Sequence, residues 1–269
     1  MAFKRAILAH GGAGSKSFQS DGPLLAARLG MTLMETGKSA FEAVITAVKQ
    51  LENDPRFNAG NGSVTRADGR TIQMDASCMM SNGEFGAVSC IESVKNPVEV
   101  AREVLLNSPH VLLTGAGATA FAQKRQVALR SLEDFDRDNG PRDKTRSNCD
   151  TVGAVAFDGV TFASALSSGG LEKSAIGRVG DVPLPGCGLF CGEKGAVACT
   201  GDGEFIALKI LAREVYGWLE QNMRAEDAVE KALALFADSV DIGLIIVTPN
   251  NFAADSRNGM AWANLQETK

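Results

Sequence analysis

The spacing of apolar residues along this chain changes period several times, and each change predicts an element. Ala6-Ile7-Leu8-Ala9 is a short continuous apolar run, the pattern of a strand covered on both faces, and the glycines between His10 and Gly14 are expected to end it. Phe41, Val44, Ile45 and Val48 recur at helical spacing and predict a helix over 40–51, after a first helix over 23–36. Residues 53–62 are rich in glycine and asparagine and read as a loop. Strand-like segments are predicted at 63–66, 71–79 and 87–93. Pro97 suits the first turn of a helix ending near 106. A strand at 111–113 and a helix at 116–124 close the first half.

From 125 to 150 the apolar pattern fades into a charged and polar stretch. It predicts a partly ordered helix and then a mobile linker from about Phe135 to Asp150. Strand patterns resume at 152–157, 161–166, 188–191 and 196–200. Helical spacing follows over 204–222 and 225–238, and strands at 243–247 and 260–265 finish the chain. Strands in blocks with helices before and after predict an α+β fold with stacked sheets and helices outside. A single domain of 269 residues, 45% of them hydrophobic, can bury a sizeable core.

The sharpest transition is Ser147-Asn148-Cys149-Asp150-Thr151-Val152-Gly153-Ala154, where a polar run meets a buried strand at a threonine. Strand propensity alone does not demand threonine there, since valine would serve. Cleavage between Asp150 and Thr151 would give one residue both a hydroxyl and a free α-amine, an amine being one recognised base for a threonine nucleophile. Such an amine titrates near pH ~7.7–8.0, close to the working range of a general base. An accessible polar linker is where a chain can be cut, but an ordinary loop-to-strand junction accounts for this segment equally well.

Composition narrows the partners. A net charge of −5 with no long basic run argues against nucleic acid. The apolar stretch near the N-terminus is too short for a signal sequence or a bilayer span, so no membrane association and a cytoplasmic location are expected. The six cysteines are scattered with no C-x-x-C pair, and only two histidines are present, so reduced thiols are expected rather than disulfides or zinc. Gly115-Ala116-Gly117-Ala118-Thr119-Ala120 after a strand imitates a dinucleotide fingerprint. However, the acidic pair Glu133-Asp134 lies in a polar stretch where that unit needs a second strand. His10-Gly11-Gly12 imitates an esterase oxyanion motif, but no G-x-S-x-G follows; His10 is read as a structural histidine and His110 as a helix-end residue.

Around the Thr151 junction lie His10-Gly11-Gly12-Ala13-Gly14, Asn53-Asp54-Pro55-Arg56-Phe57-Asn58-Ala59-Gly60, Met74-Asp75-Ala76-Ser77, Ser167-Ser168-Gly169-Gly170, Gly177-Arg178-Val179-Gly180-Asp181 and Cys199-Thr200-Gly201-Asp202-Gly203-Glu204. In this order the set resembles the plant-type L-asparaginase and isoaspartyl peptidase family of N-terminal-nucleophile hydrolases, to which threonine aspartases and glycosylasparaginases are related. The likeness runs from about residue 7 to about 264.

The resemblance implies a four-layer αββα sandwich, cleavage into residues 1–150 and 151–269, and a homodimer of cleaved protomers. It implies hydrolysis of L-asparagine and β-aspartyl dipeptides to release L-aspartate, with Thr151 as nucleophile and no catalytic cofactor. Arg178 and Asp181 would hold the substrate's α-carboxylate and α-ammonium; taken alone they could be a surface ion pair. Thr200 and Gly201 would stabilise the oxyanion, a role compatible with a plain helix start. Ser168 stands where most asparaginases of the family have threonine, keeping the hydroxyl but losing the methyl that restricts χ1. Asn58 would support the Thr151 region. Backbone carbonyls of Leu51, Glu52, Asp54, Phe57, Ala59 and Asn61 would hold a structural sodium ion. A threonine-aspartase-like endopeptidase, a glycosylasparaginase and a non-enzymatic binding relative stay open; Ser168 and the Asp150-Thr151 pair favour the first two, and Asp181 and the compact chain count against them.

Overall fold

The computed structural model describes residues 2–131, 133–135 and 151–269. It is a mixed α+β structure built on two sheets. The larger has seven strands in the order β11-β1-β5-β6-β2-β3-β4 and the smaller four in the order β10-β9-β8-β7. The large-sheet strands are β1 Phe3–Ala13, β2 Met74–Met80, β3 Phe85–Ile91, β4 Leu112–Thr114, β5 Val152–Phe157, β6 Phe162–Ser168 and β11 Met260–Thr268. Those of the small sheet are β7 Leu189–Gly192, β8 Gly195–Gly201, β9 Ile242–Val247 and β10 Phe252–Ser256. All neighbours pair antiparallel except β3 and β4, which are parallel.

The sheets face each other across a core of Leu8, Val155, Phe157, Leu166, Ala198 and Ile245. The outer face of the large sheet carries α1 Asp21–Glu35, α2 Ala40–Asn53, α3 Pro97–Asn107 and α4 Gly115–Lys124. After α5 Gly203–Lys209, the outer face of the small sheet carries α6 Leu211–Glu220 and α7 Ala225–Ala234. With both faces covered, β5 and β6 are buried at every position, which is why they read as continuous apolar and small-residue runs. Among the described residues, no helix is long and apolar enough to cross a membrane.

Several boundaries differ from the sequence expectation. The first strand runs through Gly11 and Gly12 to Ala13, because β11 continues to pair with it across a bulge between His10 and Ala13. The strand expected at 63–66 is absent, and β2 starts only at Met74. The helix expected over 204–222 breaks at Ile210, whose φ of 48° lies in the left-handed region, and the next one stops at Ala234. Strand β10 was not anticipated. His110 is exposed and lies beyond α3 rather than at its end. Phe135 is 1% exposed beneath the Arg130 guanidinium, 4.3 Å from its ring centroid, so ordered chain reaches where the linker was expected to begin. Residues 136–150, including Asp150 and Cys149, lie outside the described residues; the other five cysteines are buried free thiols.

Candidate active site

Strand alternation gathers the site. In β5, Val152, Ala154 and Ala156 pack toward the helices while Val155 and Phe157 pack between the sheets, so period two turns Thr151 toward the inter-sheet space. The same rule places Ser168 there, because Ala163 and Ala165 face the helices and Phe162 and Leu166 the other sheet. Asp75 is flanked by helix-facing Met74 and Ala76 and sits opposite Ser168 in the β2–β6 register. From the small sheet, Val197 and Cys199 face the helices and Ala198 the large sheet, which brings Thr200 toward Thr151. A cleft of about 380 Å³, counted to its open mouth, is lined by Asp75, Thr151, Ser168, Arg178, Asp181 and Gly201 among others.

Thr151 is only 6% exposed. The Thr200 hydroxyl donates to the Thr151 carbonyl at 3.5 Å and accepts from the Ala13 N–H at 3.0 Å. Ala13 comes from the His10–Gly14 segment, so that motif delivers a backbone donor that orients a threonine. Gly201, at φ 132°, lines the cleft, and a side chain there would overlap the Asp241 backbone. The Ser168 hydroxyl accepts from the Gly170 N–H at 3.0 Å. Burial lowers the His10 pKa to about 3. A neutral imidazole of that basicity is a poor proton acceptor near neutral pH, which agrees with a structural histidine.

Arg178 is engaged by a carboxylate other than the one expected. Its fork meets Glu204, Nε to Oε1 at 2.8 Å and Nη2 to Oε2 at 2.6 Å. Burial pulls the guanidinium pKa down, but Glu204 and the neighbouring aspartates outweigh it and the net shift is upward. The same hydrogen bonds hold Glu204 below the usual carboxylate range. Asp181 is 4% exposed, and its Oδ2 has no hydrogen-bond partner among the described residues. Burial pushes its pKa up to about 7, with Asp75 and Glu204 adding to the rise and Arg178 opposing it. The cleft therefore presents a forked cation beside a carboxylate whose hydrogen-bonding capacity is not filled.

The sequence profile of the asparaginase family matches residues 4–140 and 133–269. The chain belongs to the asparaginase family. It is 37% identical over 288 residues to an isoaspartyl peptidase/L-asparaginase of Danio rerio, covering 98% of this chain and 93% of the relative. A Homo sapiens protein of the same name is 34% identical over 289 residues, covering 98% and 94%. A plant-type L-asparaginase of Pyrococcus furiosus is 34% identical over 304 residues, covering 97% and 96%.

Most of the asparaginase-family motifs thus meet at one end of the inter-sheet space. Thr200 is brought beside Thr151 but is fully buried behind it, while Gly201 reaches the cleft surface. Three cleft carboxylates, Asp75, Asp202 and Glu204, received no role from the sequence. Asp75 was visible only within Met74-Asp75-Ala76-Ser77, and Glu204 only as the last residue of its motif, 26 positions from the arginine it binds.

Asn58 does not bond Thr151 directly. Its Nδ2 donates to the Gly170 carbonyl at 2.7 Å, its Oδ1 accepts from the Val64 N–H at 3.1 Å, and the Gly169 N–H donates to its carbonyl at 2.8 Å. The side chain thereby staples the 53–62 loop to the turn after Ser168. Asn58→Ala is expected to destabilise the fold by about 1–3 kcal/mol, since the buried Gly170 carbonyl and the half-buried Val64 N–H lose their partner. Denaturant unfolding checks it; a loss below ~1 kcal/mol would show the staple to be dispensable.

The same loop has the donor chemistry for a cation held by neutral oxygens. Carbonyls of Leu51, Asp54, Phe57 and Ala59 each accept one backbone hydrogen bond within the loop, and every carbonyl oxygen has a second lone pair. The Phe57 and Pro55 carbonyls crowd the position a Cβ on Gly62 would take, and the Glu52 carbonyl crowds that of Gly60. These oxygens suit a hard, weakly charged ion.

Proposed function

We propose that this member of the asparaginase family is an amidohydrolase that cleaves itself between Asp150 and Thr151 and then hydrolyses L-asparagine and β-aspartyl dipeptides, releasing L-aspartate. The observation that carries the reading is the meeting, in one small cleft, of Thr151 with the Arg178–Asp181 pair and the Gly201 turn. The lining of this cleft, a forked cation and a carboxylate beside Thr151, suits the charged head of an amino acid or dipeptide. Relatives named isoaspartyl peptidase/L-asparaginase over nearly the whole chain support it.

In maturation, the Thr151 hydroxyl attacks the Asp150 carbonyl carbon, the peptide nitrogen leaves as the new α-amine, and water opens the resulting ester. In turnover, that amine takes the hydroxyl proton as Oγ1 attacks the substrate's side-chain carbonyl. The oxyanion is met by the Thr200 hydroxyl and the Gly201 N–H, and the amine returns the proton to departing ammonia or amino acid. Water activated by the same amine cleaves the acyl ester and restores Thr151. Arg178 binds the substrate's α-carboxylate by opening its fork from Glu204, and Asp181 accepts from the α-ammonium. Ser168 supports the nucleophile, and Asn58 holds the turn that carries it.

The two facing sheets with helices outside support assignment to the αββα sandwich of N-terminal-nucleophile hydrolases. We also infer a homodimer of cleaved protomers in the cytoplasm. A sodium ion on the carbonyls of Leu51, Glu52, Asp54, Phe57, Ala59 and Asn61 would brace the loop and take no part in the chemistry. A second reading, a threonine-aspartase-like endopeptidase or a glycosylasparaginase, is favoured by Ser168 and the Asp150-Thr151 pair. Steady-state hydrolysis of asparagine, β-aspartyl-leucine and an aspartyl-glucosamine compound separates them. Preference for the glycosylated compound would overturn the first reading.

The proposed roles set the pH dependence. Asp181 must be ionised to bind ammonium and titrates at about 7. The Thr151 amine must be neutral to take a proton and titrates near ~7.7–8.0. Both requirements fail as pH falls, so log kcat/KM should drop with a slope approaching two below pH about 7. A slope of one across that range would remove one of these groups from the mechanism.

A further inference from the structure

Asp75 has no part in the chemistry above, yet it lies at the centre of the cleft's charges. It ends the polar face of β2, opposite Ser168 in register, and is 1% exposed. Its Oδ1 accepts from the Cys90 N–H at 2.9 Å. Cys90 sits at a positive φ of 48°, within the segment where β2 and β3 slip register. The Cys90 thiol in turn approaches the Arg178 carbonyl at 3.8 Å, and the Gly180 N–H also supports the Asp75 carboxylate. Asp75 and the Cys90 it holds therefore link the bulged strand to the backbone at Arg178 and Gly180, in the loop that carries Arg178 and Asp181.

Burying a carboxylate is costly unless cations or donors surround it. Here the counter-charges are Arg66 and Arg178. Arg66 is fully buried, donating to the Ser174 hydroxyl at 2.7 Å and the Gln73 carbonyl at 2.9 Å. Arg66 and Arg178 both favour the Asp75 charge, and Arg178 does the same for Asp181 while Asp75 opposes it. An apolar residue at 75 would leave Arg66 buried with less compensation.

We propose that Asp75 is a positioning residue for the substrate's amino-acid head: it sets the Arg178–Asp181 loop and supplies the negative field that tunes Asp181 toward an ammonium. This inference rests on the proposed substrate class. Burial raises the pKa of both Asp75 and Asp181. The Asp75 negative charge helps to raise Asp181, and removing that charge must move Asp181 down. The other groups facing Asp181 are Arg178, Glu204 and the thiols of Cys187 and Cys199. Those facing Asp75 are Arg66, Arg178 and the Cys90 thiol. Burial keeps all three thiols protonated in the range considered.

The test is L-aspartate binding by calorimetry from pH 5 to 9 on wild type, Asp75→Asn and Asp75→Ala, with thermal melts beside it. Binding of this product isolates Asp181, because the Thr151 amine need not act as a base. Asp75→Asn keeps an acceptor for the Cys90 N–H and removes only charge. Its acid midpoint should fall by about half to one pH unit, and its affinity at pH 8 should weaken about fivefold. Asp75→Ala should lose affinity further and melt lower. A midpoint unmoved in Asp75→Asn, with wild-type binding intact, overturns the inference alone. Wild type that neither binds L-aspartate nor hydrolyses asparagine overturns the substrate reading and this inference with it.

Discussion

Thr151→Ala is expected to reduce asparagine turnover by about 10⁴-fold or more while leaving the fold in place, the scale reached when a covalent nucleophile is removed from an acyl-transfer site. Thr151 stands just before β5, and its side chain makes no hydrogen bond recorded among the described residues. Truncation should therefore cost less than ~1 kcal/mol of stability. Thr151→Ser keeps the hydroxyl and loses the methyl, so it should retain measurable activity. Steady-state kinetics with a thermal melt checks both variants. A stable Thr151→Ala variant within tenfold of wild type would mean that the nucleophile lies elsewhere.

The second large effect is expected at Thr200. Its oxygen accepts from the Ala13 N–H and its proton is given to the Thr151 carbonyl at 3.5 Å, so in the proposed mechanism that proton turns from the carbonyl to the oxyanion formed beside it. The Ala13 bond holds the oxygen in place, so in the proposed mechanism only the O–H rotates when the oxyanion forms. Thr200→Val should lower kcat by about 10²–10³-fold, or roughly 3–4 kcal/mol of transition-state stabilisation. It should also strand the buried Ala13 N–H, lowering stability by about 1–3 kcal/mol. A fall in stability without a fall in kcat would reduce Thr200 to a structural anchor.

What could be read in advance follows from range. Thr151, Ser168 and Thr200 lie on or beside strands whose both faces are buried, so their polar character stood out locally against apolar runs. Their convergence needed only period-two alternation and two facing sheets. The Arg178–Glu204 pair was not legible, because its partners lie 26 residues apart and only the tertiary fold brings them together. Asp75 was hidden for the same reason: its place depends on the β2–β6 register and the Cys90 bulge. The break at Ile210 escaped because apolar spacing passes through it; only its backbone conformation divides α5 from α6. Strand β10 is half exposed at an edge, so it carries no continuous buried run.

The central claim is that Thr151 becomes an N-terminal nucleophile. The measurement that tests it most directly is the intact mass of freshly purified protein, repeated after incubation and alongside Thr151→Ala. Expected are two species whose masses match residues 1–150 and 151–269, growing with time in wild type and absent from the variant. A wild-type chain that stays whole while hydrolysing asparagine at full rate would contradict the account, because no free amine would stand on Thr151 to take the proton.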